Sequence, residues 1–447
     1  MIANFVFKLE GIFWGMPFIV FVMLVGFYFT AKSGFFTFAK FGHILKHTAG
    51  DIGKTDANTK KAGTVSPFEA VCIAIGGCVG AGNISGVASA IAVGGPGAIF
   101  WLWLWAFFGM MVKLVETTLG CHYRSRDEKG EYYGGPMEYM EKGIGRQMGI
   151  KAGFVLSAAF CVGFIIQFIQ GSQAYTISEM IYGSFRVPMM VTTAIYTLII
   201  IYVVWKGTPR IAKFATTAVP VMCVIYVIGG IGLIILNIGN VPSVVAMIFK
   251  DAFTGSAAVG GFVGATVAQA MRSGLNRSIN SNEAGQGSSP LVHSSADTVH
   301  PVRQGLWGAF EVFVDTIVVC SITAIAVLCT GVWSNGETGA TLTMTAFKTA
   351  YGSFGSVYMG FMAVIFGLTT TAGWYTYYVT VIRHLLRSKP AVRDTVITIF
   401  KILFPCMNIF IVGYITIGGY DANLFWSFVS CVLAVPVFTN LIALVAL

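Results

Sequence analysis

Gly76-Gly77-Cys78-Val79-Gly80-Ala81-Gly82-Asn83 lies inside an apolar run from about Pro67 to Val93. Four glycines within seven residues would cost a continuous helix about 4 kcal/mol relative to alanine, at about 1 kcal/mol each, so the run predicts a helix that breaks here. Unpaired backbone at membrane depth survives only where it is buried in protein or lines a cavity. The carbonyls ending one half-helix suit a cation, and the N–H groups opening the next suit a carboxylate.

The pattern returns. Gly260-Gly261-Phe262-Val263-Gly264-Ala265 repeats Gly-Gly-x-Val-Gly-Ala at an offset of 184 residues, in a second glycine-interrupted apolar segment. Paired broken helices at matching places in two halves point to the binding site of a secondary transporter.

Composition agrees with a membrane location. The 447 residues are 56% hydrophobic and 11% charged, with a mean hydropathy of +0.77, which leaves too little polar surface to cover a soluble fold. The chain is an all-α integral membrane protein. Nine cysteines stand singly in apolar segments with no CxxC pair or Cys/His cluster, so they read as small core residues and imply no metal or disulfide. The N-terminus has no basic leader region or cleavage pattern and is expected to be retained.

Runs long enough to span a bilayer number eleven: 12–31, 67–93, 97–120, 152–178, 188–205, 213–236, 256–276, 304–331, 354–382, 395–418 and 422–445. With loops taken alternately, one side carries 22 Lys and Arg and the other 4. That split predicts an outside N-terminus and a cytoplasmic C-terminus, and it explains the net charge of +9 as topology, not as a nucleic-acid surface. Residues 1–447 form one transmembrane domain. An extra N-terminal helix (12–31) precedes a first five-helix repeat (67–236) and a second, inverted one (256–445), each opened by a broken helix.

Candidate polar residues follow from depth. Gln167, Gln170 and Gln173 share a helix face, where amides need partners. Gln167 and Gln173 suit interhelical bonding; Gln170, beside Gly171, suits substrate contact. Thr369, Thr370 and Thr371 offer hydroxyls that could complete a cation shell begun by carbonyls of the break, although threonines also bond their own helix. Trp374 could floor a small apolar site. Lys113 and Glu116 can pair with each other, whereas Glu311 and Asp315 share a face without a basic neighbour; Asp315 could tune a cation or take a proton. The stretch Ser281-Asn282-Glu283-Ala284-Gly285-Gln286-Gly287-Ser288-Ser289 reads as a cytoplasmic hinge or gate in which Glu283 pairs with nearby arginines. Gly50 to Thr55 resembles a phosphate loop but lacks a required glycine and a preceding strand, and HExxH and Gly-x-Ser-x-Gly are absent, so enzyme chemistry is not expected.

These residues resemble the alanine or glycine:cation symporter family. The resemblance rests on Gly94 to Met110 (GGPGAIFWLWLWAFFGM), Gly80 to Ala88, Gly134-Gly135-Pro136-Met137, Ser281 to Gly285, His300 to Gly305 and Asp315 to Cys320, which run in order over most of the chain. It implies a leucine-transporter-like fold and Na⁺-driven uptake of a small neutral amino acid, alanine or glycine; a monomer without organic cofactor is expected. It further implies that Gly80, Ala81, Gly82 and Asn83 bind the carboxylate and that Gln170 and Trp374 contact substrate. The carbonyls of Gly76 and Val79, with Thr369 and Thr370, would bind Na⁺. The substrate side chain is expected between Trp374 and the second break, at Gly261, Phe262 and Thr266, with Asp315 and Glu283 in ion coupling or gating. Tyr375 to Thr380 and Asn276 to Asn280 depart from the family pattern and bear on substrate and gate. A Na⁺-independent exchanger, a proton-coupled symporter and a channel are the rivals; no charged ring or filter loop favours the last.

Overall fold

The computed structural model describes residues 2–52, 64–169 and 171–447, and within them the chain is almost wholly helical. Helices α1 (Ile2–Phe13) and α2 (Met16–Lys32) come first. The glycine-rich run then divides into α3 (Pro67–Cys78) and α4 (Ala81–Gly94), bent by 42° at Val79–Gly80. Helix α3 starts at a capping box, Ser66 with Glu69, reinforced by Pro67 in the first turn. After α5 (Ala98–His122), strands β1 (Ser125–Arg126) and β2 (Tyr132–Tyr133) form a small antiparallel hairpin that leads to a helical segment over 136–147. The first half ends with α6 (Ala152–Ile166), α7 (Ser172–Phe185), α8 (Met189–Val204) and α9 (Thr208–Leu236).

The second half contains α10 (Val241–Thr254), α11 (Val267–Asn282), the short α12 (Pro290–His293) and α13 (Pro301–Cys329). Helices α14 (Gly339–Tyr351), α15 (Ser353–Leu385), α16 (Pro390–Thr416) and α17 (Ala422–Ala446) complete it. Among the described residues, eight helical stretches are long and apolar enough to cross a bilayer, and the bent α3–α4 pair makes a ninth if counted as one span. Their outward faces stay apolar: Val155, Leu198 and Ile228 are 69%, 67% and 65% exposed, as a lipid-facing surface requires. Helix α5 packs along α11 and α13, while α15 lies against α3, α7 and α14. The broken helices sit between these groups.

The second half does not break where the sequence pattern predicts. Residues 255–266 are not helical: they form a hairpin closed by bridges Ser256–Ala265 and Val259–Phe262, with Gly260 and Gly264 at φ of 58° and 89°. Valine, alanine and glycine make this stretch apolar without making it helical, and α11 begins only at the Thr266–Gln269 capping box. The predicted span 256–276 is therefore shifted to 267–282. The break follows at Glu283, whose φ of 56° ends α11, and runs to Ser289 before α12. All seven residues from Glu283 to Ser289 are buried, so this stretch is an interior helix break and not a solvent-facing cytoplasmic loop.

Candidate functional site

At the first break the carbonyls of Gly76, Gly77 and Val79 and the N–H groups of Gly80 and Ala81 find neutral partners. The Thr370 hydroxyl donates to the carbonyls of Gly76 (2.9 Å) and Val79 (3.3 Å), and Trp374 Nε1 donates to Gly77 O (3.2 Å). On the N–H side, Ala81 N donates to Gln173 Oε1 (3.0 Å) and Gly80 N to Asn83 Oδ1 (2.9 Å). Among the described residues nothing caps Gly82 N–H in the first turn of α4, beside the cavity that Gly82 lines. Thr369 turns its hydroxyl to its own helix, at Ile365 O and Phe366 O (3.1 and 2.9 Å), and Thr371 pairs with Tyr196 (2.6 Å). Of the three threonines, Thr370 alone meets both carbonyls. These three oxygens carry no formal charge and no titratable proton in the physiological range, a donor set suited to a hard monovalent cation.

Asp315 joins the two breaks. It accepts from Asn83 Nδ2 on α4 (2.6 Å), Ser281 Oγ on α11 (2.8 Å) and its neighbour Thr316 Oγ1 (2.7 Å), and it is fully buried. Glu283 borders the cavity and accepts from Ser288 Oγ; it makes no ion pair with an arginine among the described residues. The second break is held by charge instead. Glu116 accepts from Gly285 N (3.2 Å) and from Asn440 Nδ2 (2.9 Å), while Ser289 Oγ donates to Glu311 (2.7 Å). Lys113 Nζ stands 3.3 Å from Glu311 and 3.7 Å from Glu116. Glu311 thus has a basic neighbour after all, supplied by α5 and invisible along its own helix.

A cavity of about 860 Å³ opens between the breaks, bordered by Gly77, Gly82, Arg277, Glu283, Thr370 and Trp374. The Arg277 guanidinium packs over Gly82 and Gly86: a Cβ on Gly82 would lie 2.9 Å from Nη2, and one on Gly86 would collide with Nη1. Arg277 Nε is buried without a hydrogen-bond partner among the described residues. Gly261, Phe262 and Thr266 do not border this cavity. Gly261 packs on the 334–336 turn, Phe262 stacks edge-on against Trp333 at 5.3 Å, and Thr266 caps α11. Gln170 and residues 53–63, with part of the phosphate-loop resemblance, lie outside the described residues.

Two residues that matter here escaped the sequence reading as site residues. Gln173 makes the interhelical bond expected of it, capping α4 across 92 positions, but its own helix face could not announce that the partner would be Ala81 N at the break. Arg277 had a legible signal: Gly82-x-x-x-Gly86 presents a small-residue face on which a long side chain can lie.

Away from the cavity, the 136–147 segment is tied to the end of α15. Arg387 Nη2 meets Glu141 (2.8 Å), His384 bridges Glu138 (2.7 Å) and Glu141 (3.1 Å), and Lys142 pairs with Glu138 (2.9 Å). Partial burial alone would raise the Glu141 carboxyl, but its bonds to His384 and Arg387 outweigh it and hold the group down at about 2.

The fold is shared with MhsT bound to L-phenylalanine, at a TM-score of 0.53 and 14% identity, covering 87% of this chain and 99% of that one. Among relatives, the probable sodium/glutamine symporter GlnT of Bacillus subtilis is 34% identical over 97% of this chain and 86% of its own length. The sodium/alanine symporter AgcS of Methanococcus maripaludis is 32% identical over 84% and 82%. The model of the sodium:alanine symporter family matches residues 1–447. With broken helices meeting at one open cavity and a match along its whole length, this chain belongs to the sodium:alanine symporter family, whose members are multi-pass membrane transporters and not enzymes.

Proposed function

We propose that this protein is a Na⁺-coupled symporter that carries a small neutral amino acid, alanine or glycine, into the cell by alternating access. The observation that carries the reading is the convergence of the Gly76 and Val79 carbonyls on the Thr370 hydroxyl, one bend away from the uncapped Gly82 N–H. Na⁺ sits at the carbonyl end with Thr370; Thr369 supports that face of α15 from behind. The substrate carboxylate sits at the start of α4, on Gly82 N–H with Ala81 and Asn83 shaping the turn and Arg277 as its cationic partner. Trp374 and Gln170 contact the rest of the substrate. Because ion and carboxylate share one broken helix, filling either site orders the other, which is positive coupling. Asp315 links that helix to the second break and transmits its movement, and Glu283 gates the passage.

The neutral donor set favours Na⁺ over H⁺, since it offers no group to protonate. The one-sided distribution of Lys and Arg orients the chain with its N-terminus outside and its C-terminus in the cytoplasm. Ten helices in two inverted repeats plus one peripheral helix account for the eleven apolar runs, and both sites form within one monomer. Uptake of radiolabelled L-alanine into proteoliposomes, with and without an inward Na⁺ gradient, tests the reading. Saturable uptake stimulated by the gradient is expected; saturable uptake indifferent to Na⁺ would establish an exchanger instead.

A further inference from the structure

Between Glu179 and Asp251 the sequence contains no acidic residue, and inside that interval the turn from α8 to α9 carries three cations, Lys206, Arg210 and Lys213. None of the three makes an ion pair among the described residues. Basic residues in other connections on the same lysine- and arginine-rich side are matched by carboxylates. Arg383 meets Glu131 (2.6 Å), Arg393 meets Glu128, Lys129 meets Asp394 (3.0 Å) and Arg303 meets Asp51 (3.0 Å). The positive charge of the α8–α9 turn is left for something outside the protein.

The turn also ends two lipid-facing stripes. On α8, exposed Ile195, Leu198 and Tyr202 follow one another at helical spacing and lead to Trp205. On α9, exposed Lys213 begins a face that continues through Val221, Val224 and Ile228. Tyr202 is 66% exposed and Trp205 52%, as aromatic side chains at the level of lipid headgroups are. The Arg210 guanidinium lies 3.6 Å above the Tyr202 ring, so a cation–π contact holds it at the head of both stripes. The opposite face of α9 is buried, and there Val219 packs at the first break: a Cβ on Gly76 would lie 3.1 Å from its side chain.

We propose that the α8–α9 turn is a binding site for an anionic phospholipid, whose phosphodiester sits among Lys206, Arg210 and Lys213 while its acyl chains lie along the exposed faces of α8 and α9. The inference takes its leaflet, the cytoplasmic one, from the proposed orientation. A zwitterionic lipid carries its own ammonium and gains little from the three cations, and a phosphate ester free in water has no chains to lay on the stripes. The bound lipid tethers the turn to the membrane surface and so steadies α9, the helix that backs the proposed ion site.

The test uses the full chain purified in a neutral detergent, with native mass spectrometry after addition of phosphatidylglycerol or of phosphatidylcholine with the same acyl chains. The first phosphatidylglycerol should bind with a dissociation constant at least about tenfold below that of phosphatidylcholine. In the triple variant Lys206→Gln, Arg210→Gln, Lys213→Gln this ratio should fall below about threefold. A control that removes one cation from each of three other connections, Lys46→Gln, Arg146→Gln, Lys389→Gln, should keep the ratio of the wild type. If the first triple variant cannot be purified, Arg210→Gln alone replaces it and should lower the ratio about fivefold. Glycerol 3-phosphate should not displace the lipid. Constants within about twofold of each other in the wild type, or equal losses in the two triple variants, overturn the site. Displacement by glycerol 3-phosphate overturns the lipid as its occupant. None of these measurements requires transport, so their failure leaves the symporter reading standing.

Discussion

The break at Val79–Gly80 is short and held by neutral groups, whereas the break at Glu283–Ser289 runs for seven residues and is held by carboxylates. At the first, a threonine, a tryptophan, a glutamine and an asparagine satisfy the loose backbone. At the second, Glu116 and Glu311 grip Gly285 N and Ser289 Oγ and are themselves balanced by Lys113, with His293 Nε2 3.2 Å from Glu311. Neutral hydrogen bonds net about 1 kcal/mol and can be exchanged for a ligand or an ion. Separating a buried charge from its partner costs several times more. Under the proposed function the difference implies a division of labour: the neutral break is expected to move and bind, and the charged core of the second break, at Gly285 and Ser289, to anchor it.

Removing the balancing charge breaks this comparison most severely. Lys113→Met leaves Glu116 and Glu311 buried without their cation, and a loss of about 3–5 kcal/mol is expected, seen as a large fall in the thermal midpoint of the purified protein. Adding Glu116→Gln and Glu311→Gln to the same protein should recover much of that loss. A midpoint unchanged in the single variant would show that charge does not hold the second break. At the neutral break, Thr370→Val should raise the Na⁺ concentration for half-maximal alanine uptake at least tenfold, about 1.4 kcal/mol, while the protein still folds. Thr370→Ser keeps the hydroxyl and should stay close to wild type. Equal behaviour of the valine and serine variants would remove Thr370 from the ion site. Gln173→Leu takes the cap from Ala81 N, for which helix-cap losses of about 1 kcal/mol are the guide. Its effect should appear as weaker alanine binding with the Na⁺ dependence retained, and a shift confined to Na⁺ would contradict the assignment of that amide to the N–H side.

The same contrast explains what could be read from the sequence. Glycine clustering inside an apolar run betrays the neutral break, because nothing else in such a run accounts for four residues that disfavour helix. The charged break hides for the opposite reason. Ser281 to Ser289 is rich in serine, asparagine, glutamate and glutamine, so hydropathy assigns it to solvent, and the carboxylates that receive it, Glu116 and Glu311, come from α5 and α13. The repeated Gly-Gly-x-Val-Gly-Ala at 260–265 then took its place, although its backbone belongs to a hairpin. The other apolar runs coincide with helices because bilayer-length hydrophobicity is a local property. Partnerships such as Ala81 with Gln173, or Asn83 with Asp315 across 232 residues, are set by packing and leave no local trace.

The smallest effect belongs to the 136–147 segment, where charge holds a surface docking contact and the anchor logic can be sharpened by pH. The Glu141 carboxyl is held at about 2 by His384 and Arg387 against the upward pull of burial. An unfolded glutamate titrates near 4.3, so the ionised form is favoured in the docked segment. Its contribution is fully present above about pH 5 and declines as the pH falls towards 2. Arg387 is 42% exposed, so screening keeps the contribution under about 1 kcal/mol. Hydrogen exchange over 136–147, corrected for intrinsic rates, should therefore rise as the pH falls from 5 towards 3. Glu141→Gln should exchange faster at neutral pH and show a shallower acid dependence, the remainder belonging to Glu138 with its partners His384 and Lys142. An acid dependence between pH 5 and pH 3 as steep in Glu141→Gln as in the wild type would mean that a group other than this carboxylate governs it, and charge at the edge of the molecule would then differ in kind from the charge that anchors its interior.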